Sequence, residues 1–269
     1  MADTDVVSPW GPRTPEEAAA LPPAATTVPV SSRLSGWAWG AASTVILAVW
    51  IGLWAGPLGA LALVGGVFVH EFGHVLVINW AGAGPSSIRI IPFFGGAATM
   101  RRTPDSDFKS VLIALAGPAF GLLFAAPFAL ATLVTGDKAW LAGAFYVGAL
   151  NLINLAPAAP LDGSKAFGPV LARIHPWVER VVLLLLAGLV LDWALTTHNW
   201  LFGAVIALGA MRAFLMASAR PSSRPLNAWE WVASLVLYAL VVGLCAGVAW
   251  WAMRDGAIAS QLLLFGGQK

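Results

Sequence analysis

Apolar residues dominate the chain in seven long runs that short polar segments separate. Most runs approach the length of about 20 residues that a helix needs to span a bilayer, although the fourth and fifth are short and could be tilted or incomplete. The pattern therefore predicts an all-α polytopic membrane protein with about six to seven transmembrane helices. The runs cover about Trp37–Trp54, Leu58–Trp80, Val111–Thr135, Trp140–Leu155, Val181–Thr196, Trp200–Ala217 and Trp229–Trp251.

A different pattern follows the second run. Ser87–Phe94 is rich in β-branched and aromatic residues, the pair Gly95-Gly96 comes next, and Ala97–Met100 continues the segment. The glycine pair predicts the turn of a short, membrane-associated β-hairpin, and Pro92 restricts its strand to an edge position. Such backbone is tolerated at membrane depth only against protein or water. An ordinary interfacial loop accounts for this pattern equally well.

The runs divide the chain into five parts. Residues 1–36 are rich in Pro, Ala, Ser and Thr with mixed charges, and they lack the basic start and apolar stretch of a signal peptide. This composition predicts a disordered tail. A first transmembrane helix (37–57), a core of three helices with the hairpin loop (58–165), additional transmembrane helices (166–252) and a C-terminal tail (253–269) are expected to follow.

The composition agrees with a membrane protein. Of 269 residues, 59% are hydrophobic and 10% are charged, with a mean hydropathy of +0.79, whereas a soluble domain carries roughly a quarter charged residues. The net charge of +2 comes from basic loops and does not indicate nucleic-acid binding. The single cysteine, Cys245, excludes an internal disulfide framework, and its apolar surroundings favour a packed thiol.

If all seven runs span the membrane, the Lys and Arg residues divide unevenly between its two sides. The positive-inside rule then predicts a multi-pass protein of the cell membrane, embedded in the lipid bilayer, with a cytoplasmic N-terminus. The oligomeric state is not legible from the sequence. The predicted cytoplasmic side carries Arg13, Arg33, Arg89, Arg101, Arg102, Lys109, Lys165, Arg173, Arg180, Arg212, Arg220 and Arg224, and the opposite side carries Lys138, Arg254 and Lys269.

The second run contains the segment His70-Glu71-Phe72-Gly73-His74, an H-E-x-x-H motif. Residues four apart project from the same face of a helix, so His70 and His74 can bind one metal ion together. Glu71 lies beside them, where its carboxylate can accept a proton from a water that the metal activates. Ionisable residues are costly at bilayer depth and usually functional. The motif therefore predicts a zinc site with His70 and His74 as ligands and Glu71 as general base.

A zinc site of this kind needs a third protein ligand and an open position. The fourth run ends in a proline-interrupted segment, and Asp162 follows it. Pro157 and Pro160 must end the helix there, at a depth similar to that of His74. Asp162 is therefore the best candidate for the third ligand, although a carboxylate in a helix-terminating turn is an equally good explanation. Less favourably placed alternatives are His175, His198, Asp192 and Glu230.

These segments together resemble the site-2 protease family of intramembrane zinc metallopeptidases. The resemblance covers roughly residues 58–165 and rests on His70–His74, Phe93–Gly96, Ala116–Pro118 and Asn154–Gly163. It implies that His70, His74 and Asp162 bind Zn²⁺, that Glu71 is the general base, and that Asn154 contacts the substrate or the oxyanion. It also implies that Phe94, Gly95 and Gly96 belong to an element that pairs with an unwound substrate, the transmembrane segment of a single-pass membrane protein.

One position departs from the family pattern, which commonly has an asparagine three residues after the proline of Ala-Gly-Pro; here that residue is Gly121. Two other functions remain open at this stage. A non-catalytic regulator of the same fold would bind membrane segments without cutting them, which the intact motif disfavours. A zinc transporter would need polar sites through the bilayer, and several of the runs supply almost none. The leading prediction is an intramembrane zinc metalloprotease.

Overall fold

The computed structural model describes residues 30–91, 95–216 and 223–254. The chain divides into two compact units, Met1–Ala41 and Ala42–Lys269, and the site described below lies in the second. The predicted N-terminal tail falls mostly, and the C-terminal tail almost wholly, outside the described residues. The helices are α1 (Val30–Trp80), α2 (Asp107–Leu123), α3 (Ala126–Thr135), α4 (Ala139–Asn154), α5 (Asp162–Ile174), α6 (Pro176–Thr196), α7 (Trp200–Met216) and α8 (Ala228–Arg254), and the strands are β1 (Ser87–Ile91) and β2 (Gly95–Thr99).

Glycine and proline set the interruptions in the helices. Helix α1 joins the first two apolar runs and is interrupted at Gly56, whose φ of 73° and ψ of 173° are not helical. Glycine adopts positive φ without steric cost, and Pro57 disfavours helical backbone in the residue before it. The third run also divides, because α2 ends at Leu123 and α3 begins at Ala126 with Pro127 in its first turn.

Three helical stretches in the described part of the chain are long and apolar enough to cross a membrane. They are Ala55–Trp80, Asp107–Thr135 and Ala228–Arg254, and Thr44–Leu53 and Ala139–Asn154 are shorter apolar helices. The predicted class, a mostly helical membrane protein, is confirmed at this level. The predicted count of six to seven spanning helices is not confirmed.

The predicted β-hairpin is present, but the glycine pair has a different place in it. Strands β1 and β2 pair antiparallel, with Ile91 opposite Gly95 and Ser87 opposite Thr99. Gly95 and Gly96 are therefore the first residues of β2, and the prediction that they form the turn is wrong. Residues 92–94, which connect the strands and include Phe94, lie outside the described residues.

Small residues bring the second part of α1 close to α2 and α4. A Cβ atom at Gly73 would lie 2.5 Å from the Ala116 carbonyl oxygen, and one at Gly66 would lie 3.4 Å from the Leu150 side chain. Glycine allows this close approach of helices in a membrane, where packing rather than hydrophobicity drives association. The segment that carries the H-E-x-x-H motif is thus held against two neighbouring helices.

Helix α8 packs against α2, α4 and α5 and fixes the segment between α4 and α5. The Tyr238 hydroxyl donates a hydrogen bond to the Leu155 carbonyl (2.7 Å), and Trp231 Nε1–H donates to the Val170 carbonyl (3.0 Å). Leu155 is the first residue after α4, where the chain leaves the helix. The last helix therefore supports the interruption that was predicted from Pro157 and Pro160.

Candidate metal centre

Two histidines of α1 and an aspartate of α5 bring three potential ligand atoms together. The Nε2 atoms of His70 and His74 are 3.1 Å apart, and Asp162 Oδ2 lies 3.0 Å from each of them. The exposed fractions of the three residues are 3%, 7% and 7%. The structure thus brings the three predicted ligands to one buried point.

The spacing of these atoms fits a tetrahedral metal centre. With metal–ligand bonds of about 2.0–2.1 Å, neighbouring ligand atoms of a tetrahedron lie roughly 3.3 Å apart. The observed 3.0–3.1 Å is only slightly shorter. Two imidazole nitrogens, one carboxylate oxygen and an open fourth position form a ligand set typical of catalytic zinc. The residues present therefore fit a zinc ion.

The other ring nitrogens support this assignment. His70 Nδ1 lies 2.9 Å from Asn151 Oδ1, and His74 Nδ1 lies 2.7 Å from the Ile113 carbonyl oxygen. Because a carbonyl oxygen only accepts, each Nδ1 carries a proton, and in a neutral ring Nε2 then presents its lone pair. Two lone pairs and a carboxylate oxygen converge in a buried space, an arrangement that a bound cation stabilises.

Asp162 reaches the histidines because the chain turns sharply after α4. Helix α4 ends at Asn154, and Asp162 is the first residue of α5. A Cβ atom at Gly163 would lie 2.0 Å from the Leu155 carbonyl oxygen, so only glycine permits this close approach. The second carboxylate oxygen, Asp162 Oδ1, accepts a hydrogen bond from the exposed Lys165 ammonium at 3.1 Å. One oxygen of Asp162 thus faces the histidines and the other faces Lys165.

Helix α2 lies directly over the histidine pair at Gly117. A Cβ atom at this position would lie 2.3 Å from His74 Nε2 and 2.7 Å from His70 Nε2. Small residues such as those of Ala116-Gly117-Pro118 allow close packing of helices, and here the glycine has a further consequence. The absence of a side chain at residue 117 leaves the space in which a metal ion would bind.

Glu71 lies between the metal centre and the hairpin. It is 8% exposed, and its Oε2 accepts a hydrogen bond of 2.7 Å from the Ala98 backbone N–H in β2. Glu71 also lies with His70 and His74 in a group whose ligand atoms are within 4.8 Å of one another and could hold a metal ion. Asp162 is the better third ligand, since its oxygen is 3.0 Å from both Nε2 atoms, whereas Glu71 already has a backbone partner.

Asn154 and the residues considered as alternative third ligands lie in other environments. Asn154 is half-buried and donates from Nδ2 to the Leu150 carbonyl (3.1 Å). The alternatives considered for the third ligand have other partners or are exposed: His175 accepts from the Trp177 N–H, and Glu230 pairs with Arg224. Sequence reasoning missed Asn151, which contacts His70 and lies one helical turn before Asn154. A polar residue within an apolar helix was the available signal.

Known proteins resemble the part of the chain that carries this centre. Residues 58–137 match the family model described as Peptidase family M50, the site-2 protease family, so the resemblance noted in the sequence is confirmed. A protein of Mycobacterium tuberculosis named "Putative zinc metalloprotease Rip3" is 35% identical over 133 residues, which cover 45% of this chain and 32% of the relative. A protein of Synechocystis named "Putative zinc metalloprotease sll0528" is 31% identical over 128 residues, 44% of this chain and 32% of the relative. The chain thus spans about a third of the length of these relatives.

Proposed function

We propose that this chain is an intramembrane zinc metalloprotease that cleaves transmembrane segments of single-pass membrane proteins. The observation that carries the proposal is the triangle of His70 Nε2, His74 Nε2 and Asp162 Oδ2, with sides of 3.0–3.1 Å and with Glu71 beside it. The match to Peptidase family M50 and the names of the similar proteins support the same activity.

His70, His74 and Asp162 would hold the metal, and Glu71 would move the proton. A zinc ion bound there polarises a carbonyl group and makes a nucleophilic water available near neutral pH. The Glu71 carboxylate accepts a proton from the attacking water and returns it to the nitrogen of the leaving amine. Because Glu71 is 8% exposed, little bulk water competes with this transfer. The Ala98 N–H holds the carboxylate in place beside the two histidines.

The edge of β2 that faces away from β1 and toward Glu71 is the proposed substrate-binding element. The Ala98 N–H is directed toward Glu71 rather than toward its partner Ile88 in β1. Backbone groups two residues apart along a strand point to the same side, so Gly96 faces the same edge. An unwound substrate segment can add to such an edge as a further strand, which would bring its backbone past Glu71 and the metal.

Three further residues complete the proposed substrate contacts. Gly95 begins β2, where the absence of a side chain leaves space for another backbone. Phe94, outside the described residues, and Asn154 keep the roles that the family resemblance implies. For Asn154, one amide hydrogen is already bound to the Leu150 carbonyl, which leaves its Oδ1 and the second hydrogen for a substrate or an oxyanion.

The proposed location is the cell membrane, with the N-terminus in the cytoplasm. The uneven distribution of Lys and Arg supports this orientation. It places Arg101 and Arg102, between β2 and α2, and Lys109, in the first turn of α2, on the cytoplasmic side. Asp105 and Lys109 form an ion pair of 2.8 Å there, and the hydrogen bond from Lys109 lowers the pKa of the Asp105 carboxyl group.

The exchange Glu71→Gln tests the proposed function. Glutamine keeps the shape of the side chain and an oxygen for the Ala98 N–H, but it cannot accept the proton. General-base catalysis is typically worth about 10²–10⁴-fold, so cleavage should fall by at least that factor while zinc content and the melting temperature stay unchanged. Glu179→Gln, which makes the same chemical change on α6, is the matched control.

The membrane proteomes of cells that express each variant provide the readout. At least one membrane protein should accumulate uncut in the Glu71→Gln cells and be cleaved in the wild-type and Glu179→Gln cells. Cleavage at the wild-type rate by zinc-loaded Glu71→Gln would refute the proposed mechanism. If wild type and Glu71→Gln both bind a membrane segment and neither cleaves it, the protein is a non-catalytic regulator.

A further inference from the structure

An asparagine lies fully buried in the last turn of an apolar helix of this protein. Asn151 belongs to α4 and has an exposed fraction of 0%. A buried amide is stabilising only when its donors and acceptors are matched. The residues around it in α4 are mostly apolar, so packing alone would be served better by leucine or alanine. The polar group therefore needs a specific partner.

The orientation of the Asn151 amide follows from its two hydrogen bonds. One atom of the amide lies 2.8 Å from the Val147 carbonyl oxygen. Because a carbonyl only accepts, that atom must be the NH₂ group. The oxygen Oδ1 therefore faces His70 Nδ1, at 2.9 Å, and accepts its proton. His70 is thereby held with Nε2 directed at His74 and Asp162.

Gly121 of α2 leaves the space that the Asn151 amide occupies. A Cβ atom at residue 121 would lie 2.3 Å from Asn151 Oδ1 and 2.7 Å from Nδ2. Real Cβ atoms essentially never approach a neighbour below 3.0 Å, so a side chain at residue 121 and the observed Asn151 amide exclude one another. Residue 121 is also the position at which the sequence departs from the family that it resembles.

We propose that Asn151 is a positioning residue for the metal centre, which fixes the ring of His70 through Nδ1 in a space that glycine at residue 121 keeps open. The inference rests on the proposed function in taking His70 as a zinc ligand. Partners that orient a metal-bound histidine typically contribute 10–100-fold to metal affinity. Asn151 would contribute that factor without touching the metal or the substrate.

Zinc affinity of the detergent-purified full chain tests this role, measured by competition with a chelator of known affinity. Asn151→Leu keeps the volume and removes the acceptor, so affinity should fall 10–100-fold, and the absorption spectrum of the Co²⁺-substituted protein should change. Asn151→Asp keeps an acceptor for Nδ1 and should retain affinity within about tenfold of the wild type. Asn199→Leu, which makes the same exchange at an exposed position between α6 and α7, is the matched control and should bind zinc as the wild type does.

A double-mutant cycle tests whether Gly121 keeps open the space for the Asn151 amide. In the wild type, Gly121→Ala should displace the amide and lower zinc affinity about as much as Asn151→Leu. In an Asn151→Ala background, the space is empty, so Gly121→Ala should have little further effect. This cycle also decides the matter if Asn151→Leu does not accumulate as a folded protein.

Two results would overturn the inference: wild-type zinc affinity in folded Asn151→Leu, or additive effects of Gly121→Ala and Asn151→Ala. Neither result would contradict the proposed protease activity, since the wild type would still bind zinc and cleave its substrate. Conversely, a wild type that binds zinc with the predicted dependence on Asn151 but cleaves nothing would support the positioning role and refute the protease. A wild type without zinc affinity would refute both.

Discussion

The exchange Gly117→Ala should abolish metal binding by filling the space above the two histidines. Its Cβ atom would lie 2.3 Å from His74 Nε2 and 2.7 Å from His70 Nε2. Carbon and nitrogen atoms in favourable contact are about 3.5 Å apart, so at least one ring must move by roughly 1 Å. Metal sites tolerate deviations of only about ±0.2 Å in their bond lengths. The displaced histidine is therefore lost as a ligand.

The expected loss of affinity follows from the same geometry. Removing a partner that merely orients a ligand costs 10–100-fold, so losing a ligand should cost more than about 100-fold. Alanine forms helices better than glycine by about 1 kcal/mol, so the exchange is not expected to unfold α2 itself. Gly247→Ala in α8 is the control, because a Cβ atom there would meet nothing within 4 Å.

Chelator competition and thermal unfolding with and without zinc measure this effect. A ligand that binds only the folded protein stabilises it by a free energy that grows with the logarithm of its affinity. Zinc should therefore raise the melting temperatures of the wild type and of Gly247→Ala, and should leave that of Gly117→Ala unchanged. Zinc affinity of Gly117→Ala within a few-fold of the wild type would refute the placement of the metal between α1, α2 and α5.

Other exchanges test the ligands, the support from α8 and the orientation in the membrane. The purified protein should hold close to one zinc ion per chain, and alanine at any one of the three ligands should weaken its retention in a dialysis assay; full occupancy in one variant would assign that role to another residue. Tyr238→Phe should lower the free energy of unfolding by about 1 kcal/mol, because the Leu155 carbonyl loses its hydrogen bond of 2.7 Å; an unchanged stability would argue against that bond. In a Cys245→Ala background, Thr103→Cys, at an exposed position between β2 and α2, should react with a membrane-impermeant thiol reagent only after the inner face is exposed, and labelling from outside intact cells would reverse the proposed topology. The three proposed ligands to be replaced by alanine in the first of these tests are His70, His74 and Asp162.

The parts of the site that local spacing determines could be predicted from the sequence. His70 and His74 are four residues apart in an apolar run, and helix geometry alone brings them to one face. The interruption before Asp162 follows from Pro157 and Pro160, because proline lacks the N–H that a helix requires. A hairpin between the second and third runs was also predicted correctly, although its glycines lie in β2 rather than in the turn.

The parts that depend on packing between distant segments could not be predicted. Asn151 and Asn154 lie three residues apart on the same helix, so periodicity does not distinguish them. The family resemblance pointed to Asn154, whereas the contact with His70 belongs to Asn151. Asn151 can make this contact because Gly121 leaves space for its amide. Gly121 is 30 residues away in the sequence and becomes adjacent only after folding. The space that Gly117 leaves beside the histidines could likewise not be predicted, since the two segments meet only in three dimensions.

The number of spanning helices was uncertain for a related reason. Segment Asp162–Ile174, which lies between the fourth and fifth apolar runs, forms the helix α5. It carries Asp162, Lys165 and Arg173, so hydropathy alone does not identify it. Its position is set by the turn after α4 and by contacts with α2, α6 and α8. A helix that is held by its neighbours need not be apolar enough to cross a membrane.

The last helix, α8, supports the metal centre through a hydrogen bond, although it lies beyond the segment that matches the known family. Residues 58–137 supply both histidines, Glu71 and Gly117, whereas the third proposed ligand, Asp162, comes after that segment. Asp162 stays in place because Gly163 packs against the Leu155 carbonyl, and the same carbonyl accepts a hydrogen bond from Tyr238 of α8. The Leu155 carbonyl oxygen thus contacts both Gly163 at the start of α5 and Tyr238 of α8. Because a zinc ligand must be held within a few tenths of an ångström, the hydrogen bond from α8 to the Leu155 carbonyl contributes to the position of Asp162.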